Sequence, residues 1–252
     1  MPQRILLSLI ALLIPISGQA LELPSLGGGS DLPDGEYIIV SGGPASREWE
    51  VLRTERAQHD RWWGNFVRAA RLRMEQIRKE KGADAQITWL VFKPAYVHRS
   101  KEDGVDRIPQ VISVRDKETV NCKLIWFDET SQLIRYLNQG GHGVDRSRTK
   151  IAGFDYFGHS NKYCFTFDYS GEISGASKVF LHVDDLPQIN RGLFVRGAKV
   201  QSWGCHTGEA FSQAWRRSTG VKMRGAIGKT DYSECWRQTM PVISTPGGRW
   251  TY

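Results

Sequence analysis

The stretch that most constrains this chain is Ile87-Thr88-Trp89-Leu90-Val91-Phe92, an almost unbroken apolar run of strand-favouring residues. A strand with one wet face alternates apolar and polar side chains, whereas a strand covered on both faces does not. The run therefore predicts a central strand with helices above and below. Tyr37 to Val40, Ile151 to Phe157 and the run ending at Cys205 read as further strands, and helical patterns fall between them. Such alternation predicts an α/β fold, a three-layer sandwich around a mainly parallel sheet of about six strands with one or two β-hairpin insertions.

The intervening segments are assigned by period. From about Arg47 to Lys81 the pattern is helical, with Trp63, Phe66, Val67, Ala70, Met74 and Ile77 on one face and Gly82 as a stop. The adjacent Trp62 and Trp63 read as part of that stripe rather than as a ligand platform. Lys93 to Arg107 is a polar excursion, and Gln110 to Arg115 with Val120 to Phe127 reads as a hairpin closed by Asp116-Lys117-Glu118. Thr130 to Asn138 reads as a short helix ended by Gly140-Gly141. A second hairpin, Tyr163 to Tyr169 with Lys178 to Val183, precedes a helical turn around Leu186 to Asn190. Ala210, Phe211, Ala214 and Trp215 mark a helix closing at Gly220, and Met223 to Ile227 reads as one more strand.

Arg4, the apolar run Ile5 to Ile16 and Gly18-Gln19-Ala20 have the layout of a secretory signal peptide cut after Ala20. Leu21 to Gly35 then forms a flexible Gly-, Ser- and Pro-rich leader, and residues 36–252 make one domain, secreted or periplasmic. No later run has transmembrane length. The net charge of +7 is spread over several segments with acidic residues mixed in, which argues against a nucleic-acid binder. Cys122, Cys164, Cys205 and Cys235 show no C-x-x-C spacing that would suggest zinc. In an export context two readings stand: a free Cys205 with three other cysteines, or two disulfides that include it.

Two strand ends carry chemistry. Phe154-Asp155-Tyr156-Phe157-Gly158-His159-Ser160 delivers a histidine, and Val200-Gln201-Ser202-Trp203-Gly204-Cys205-His206-Thr207-Gly208 delivers a cysteine at a corner leading into a helix. The positive end of that helix would favour thiolate over thiol. In parallel sheets ligands bind at the carboxyl ends of strands, so both side chains stand where a nucleophile and its proton partner are needed. The cysteine follows the histidine by 46 residues. This order excludes a papain-like arrangement and matches the caspase pattern, with the histidine roughly 50 residues upstream.

These two blocks resemble the catalytic blocks of the caspase-like (caspase–hemoglobinase fold) cysteine peptidases, which include clostripain, gingipain and CHAT-type relatives. The resemblance implies an exported cysteine endopeptidase acting on protein or peptide substrates, without metal or organic cofactor and without a nucleic-acid partner. Cys205 would attack the scissile carbonyl and His159 would protonate the leaving amine. Backbone amides near Gly158 and Ser160, and of Cys205 after Gly204, would hold the oxyanion. Asp231, in the loop after the next strand, would favour Arg or Lys at P1. Two positions depart from the family: the residue after the histidine is usually glycine and here is Ser160, and the residue before the cysteine is commonly Ala, Ser or Asp and here is Gly204. The alternatives are an inactive caspase-like binding module and an α/β-hydrolase-type serine esterase built on Ser160 in Gly158-His159-Ser160-Asn161-Lys162, where lysine replaces the closing glycine of the elbow. His206 as a metal ligand lacks a second ligand at suitable spacing. Oligomeric state is left open.

Overall fold

The computed structural model describes residues 32–55, 58, 62–169 and 178–251. The expected signal peptide and most of the leader lie outside these residues. At its centre is a five-stranded, wholly parallel sheet: β1 (Glu36–Ser41), β2 (Gln86–Phe92), β3 (Lys123–Phe127), β4 (Ile151–Phe157) and β5 (Phe194–Ser202), in the spatial order β5-β4-β1-β2-β3. Every residue of β1 and β4, and all of β2 but Gln86, is buried, as the unbroken apolar runs require. Successive side chains point to opposite faces, so the same strands feed two cores. Ile38, Val40, Leu90, Phe92, Phe154 and Tyr156 face one way, and Tyr37, Ile39, Trp89, Val91 and Phe157 the other.

Helices cover both faces. Phe66, Val67, Ala70, Met74 and Ile77 of α2 (Asn65–Lys81) pack on the second set, as does Val111 of α4 (Ile108–Arg115). Leu133, Ile134 and Leu137 of α5 (Thr130–Gln139) and Phe211, Ala214 and Trp215 of α6 (Phe211–Thr219) pack on the first. The arrangement is an α/β fold compatible with a three-layer sandwich. The sheet has five strands rather than about six because Gly225–Ile227 pairs antiparallel with Arg249–Thr251 and meets β5 only through a bridge between Gln201 and Arg224.

Several local expectations are corrected. The helix expected over 47–81 is two, α1 (Arg47–Val51), capped by Ser46 through Trp49 N–H, and α2. Residues 110–115 are helix, not strand. Pro109 sits in the first turn and Asp106 Oδ1 caps Ile108 N–H at 2.9 Å, and over six residues an apolar pattern fits either period. The polar excursion after β2 is α3 (Lys93–Asp103), opened by Pro94 and ended by Gly104 at φ 63°. Its polarity is structural: the buried Asp103 carboxylate takes Arg47, Arg99 and Arg107 at 2.5–3.0 Å. Burial pushes that carboxyl up, but the three guanidiniums outweigh it and hold it below the usual carboxylate range. The last residues of the leader are not free either, since Leu32 is buried and Lys81 Nζ donates to its carbonyl at 3.3 Å.

Candidate active site

Strand order decides which residues meet. From β1 the chain steps outward through β2 to β3, then returns to place β4 and β5 on the other side of β1. The reversal between β1 and β4 is the topological switch point, where parallel sheets bind ligands. The turn after β1 and the turn after β4 touch there: a Cβ on Gly42 would lie 3.5 Å from Gly158 Cα. Gly158 itself has no room for a side chain, since a Cβ would come 2.4 Å from Tyr156 Oη. That hydroxyl donates to His159 O at 2.6 Å, fixing the turn that presents the imidazole.

His159 and Ser160 pair antiparallel with Phe165 and Thr166. The His159 ring meets Phe66 edge-on at 5.1 Å and Tyr169 at 4.6 Å. Beside it, β5 ends at Ser202 and Cys205 follows in a turn. The two blocks are in direct contact, because Ser160 Oγ donates to Cys205 O at 2.8 Å. Gly204 lies against the same serine: a Cβ there would stand 2.1 Å from Ser160 Oγ, 2.9 Å from Ser160 Cβ and 3.0 Å from Gly158 O. Ser160 and Gly204 are thus complementary in space, the serine side chain filling the volume that the glycine leaves empty.

The sulfur is held from the segment that carries Asp231, by a residue the sequence did not point to. Thr230 N–H donates to Cys205 Sγ at 3.3 Å, and Thr230 Oγ1 lies 3.5 Å from it. Thr230–Asp231 is a short strand paired with Val242–Ile243, and His206 N–H and Gly208 N–H donate to Gly228 O and Ala226 O at 2.8 and 2.9 Å. The cysteine loop is therefore stitched to the strand that follows it. The expected placement at a helix N-terminus is corrected: turns occupy residues 205–210, and α6 begins only at Phe211.

All four cysteines are free. Burial pushes the thiols of Cys122 and Cys235 up to about 12 and raises that of Cys164, while Cys205 is only partly buried. Three phenols surround the site. Tyr156, Tyr169 and Tyr232 are all raised, first by burial, and Cys205 is among the charges that add to the rise. Tyr232 bridges the elements, its Oη donating to Trp203 O at 3.0 Å and its ring meeting Phe66 edge-on at 5.0 Å. Phe66 was legible as an apolar helix position; Thr230, Tyr169 and Tyr232 carry no local signal.

The other candidates are placed as follows. Asp231 is partly buried, and its Oδ1 accepts from Ser233 N–H at 2.7 Å. His206, in the left-handed region at φ 61°, holds Glu209 Oε1 through Nδ1 at 2.7 Å. The strand–turn–helix setting that an esterase elbow at Ser160 needs is not formed, since Cys164–Thr166 is a strand. No helix among the described residues is long and apolar enough to cross a membrane. Comparison with protein-family models, curated proteins and solved structures finds no match to this chain.

Proposed function

We propose that this chain is an exported cysteine endopeptidase of caspase-like type, with Cys205 as nucleophile and His159 as its proton partner. The observation that carries the reading is the seam between the two blocks. Ser160 Oγ bound to Cys205 O, with Gly204 pressed against Ser160, joins the histidine turn and the cysteine turn at the ends of neighbouring parallel strands. Holding the two turns together in this way would lower the entropic cost of aligning nucleophile and base.

In the proposed reaction the Cys205 thiolate attacks the scissile carbonyl carbon, and backbone amides near Ser160 and of Cys205 receive the oxyanion. Collapse breaks the C–N bond, His159 gives its proton to the leaving amine, and a thioester remains on Cys205. Water, deprotonated by His159, attacks that thioester and releases the acid and the free thiol. Thr230 N–H, 3.3 Å from the sulfur, would orient it for attack. Asp231 would select Arg or Lys at P1 through its carboxylate.

The test is alkylation with iodoacetamide near neutral pH, followed by intact mass. One rapid adduct, absent from Cys205→Ala and slowed in His159→Ala, is expected. Labelling that ignores both changes would overturn the assignment. A peptide library carrying Arg, Lys, Asp or Asn at P1 then tests cleavage, and basic-P1 turnover unchanged in Asp231→Ala would remove Asp231 from the specificity pocket. A thiol that labels rapidly in a protein that cleaves nothing would favour the binding module instead.

A further inference from the structure

The outer side of β5 borders a cleft of about 770 Å³ whose charge is one-sided. Arg73 from α2, Arg196 and Lys199 from β5, and Lys222 and Arg224 from the segment after α6 line it, against one carboxylate, Asp155. That carboxylate is already used. Its Oδ2 accepts from Arg73 Nε at 3.0 Å and its Oδ1 from Trp203 Nε1 at 2.8 Å. Among the described residues, none of Arg196, Lys199, Lys222 and Arg224 is paired with a carboxylate. A merely solvated basic face would turn its cations apart; here four of them border one concavity, where low-dielectric walls focus their field.

A second observation comes from Gln201 on the same wall. Arg224 Nη1 donates to Gln201 Oε1 at 3.4 Å, which sets the amide's orientation, because the flipped amide would turn its own N–H groups toward a guanidinium. Gln201 Nε2 is then left buried without an acceptor. Such an orphaned donor is costly and asks for a partner. The cleft thus offers donors and positive charge, while the carboxylate it contains is fully engaged. Its volume exceeds what a single phosphate fills, and the four cations not paired with a carboxylate come from two separate segments.

We infer that this cleft binds a small polyanion carrying two or more phosphate or carboxylate groups, with Lys199, Lys222, Arg196 and Arg224 around the charged groups and Gln201 Nε2 donating to one oxygen. The site is separate from the His159–Cys205 centre and stands whether or not that centre is catalytic.

Isothermal titration of the full chain with tripolyphosphate, and separately with citrate, tests it at low and moderate salt. One saturable site is expected, weakening as salt rises. Lys199→Glu with Lys222→Glu should weaken it at least tenfold and Gln201→Leu at least threefold. Lys101→Glu with Lys117→Glu, exposed lysines elsewhere on the surface, should change it less than twofold. Tighter tripolyphosphate assigns the site to phosphates, and tighter citrate to carboxylates. Absence of saturable heat at millimolar ligand would overturn the inference. So would equal weakening by the control pair, or affinity unchanged in Gln201→Leu. If the charge reversals impair folding by circular dichroism, Lys199→Gln with Lys222→Gln carries the same test.

Discussion

Substituting Gly204 tests whether the seam between the two blocks is one fitted contact. In Gly204→Ala the new methyl would stand 2.1 Å from Ser160 Oγ, 2.9 Å from Ser160 Cβ and 3.0 Å from Gly158 O. Rotating Ser160 relieves the first overlap but gives up its 2.8 Å bond to Cys205 O, worth about 0.5–1.5 kcal/mol. The Cβ and the carbonyl cannot rotate away, so backbone must shift, at about 1–3 kcal/mol for overpacking. Gly204 is not in the left-handed region, so alanine also stiffens the unfolded chain and returns about 0.4–1 kcal/mol. The net expectation is a loss of about 1–3 kcal/mol, read as a melting temperature lower by roughly 2–4 °C per kcal/mol in a chain of this size. Ser160→Gly alone should cost about 1–2 kcal/mol through the lost hydrogen bond and added chain freedom. The double variant removes the serine atoms that the new methyl would strike. It should therefore be more stable than the sum of the singles by about 1–2 kcal/mol, the coupling expected of residues in contact. Urea unfolding followed by circular dichroism measures the cycle. A Gly204→Ala protein as stable as wild type, or a double variant additive within about 0.5 kcal/mol, would refute the reasoning.

Other consequences are direct. Glu36 is fully buried, with Oε2 2.6 Å from Arg146 Nη1 and Oε1 accepting from Tyr136 Oη at 2.5 Å; Glu36→Gln should cost about 3–5 kcal/mol by urea unfolding, because it strands a buried guanidinium. The thiols of Cys122 and Cys235, pushed up to about 12 by burial, stabilise the fold fully below the ordinary thiol range. That contribution is lost as pH rises from about 9 toward 12, by roughly 2 kcal/mol per thiol at pH 10.5. The urea midpoint should fall over that window, and fall less in Cys122→Ala with Cys235→Ala. The carboxyl of Asp103, held low by its three arginines, works in the other direction: its contribution is present above about pH 4 and lost as pH falls further, so Asp103→Asn should flatten the acid limb.

What could be read in the sequence was what depends on near neighbours. β2 and β4 were legible because burial on both faces leaves no room for polar residues, and α2 because its apolar stripe is long. Residues 110–115 were not, since Val111, Ile112 and Val114 support either period and Pro109 was the only local arbiter. Lys93 to Arg107 looked like loop because the feature organising α3 is a buried carboxylate with three arginines, one of them from α1, which no periodicity reveals. His159 and Cys205 stood out because each ends an apolar run at a glycine. Thr230, Tyr169 and Tyr232 did not, since each acquires its role from packing between segments far apart in the chain.

That distance bears on how Cys205 would be activated. Had the sulfur stood at the first turn of α6, its contacts would follow from local sequence. Instead the donor to sulfur is Thr230 N–H, on a two-residue strand fixed by Val242–Ile243, and the roof over Trp203 O is Tyr232. The contacts of the Cys205 sulfur therefore depend on the last thirty or so residues being folded against the sheet. Ser244 N–H, which donates to Lys229 O at 2.9 Å, and Thr245 Oγ1, which accepts from Lys229 N–H at 2.8 Å, hold the approach to Thr230. Truncation after Val221 would leave all five sheet strands and α6 in the chain yet remove the donor to sulfur. Loosening the contact more gently, with Thr245→Ala, should slow iodoacetamide capture at Cys205 while leaving the far-ultraviolet circular dichroism unchanged. Capture at the wild-type rate in that variant would mean that the sulfur is set by its own turn, and that the C-terminal strands only cover it.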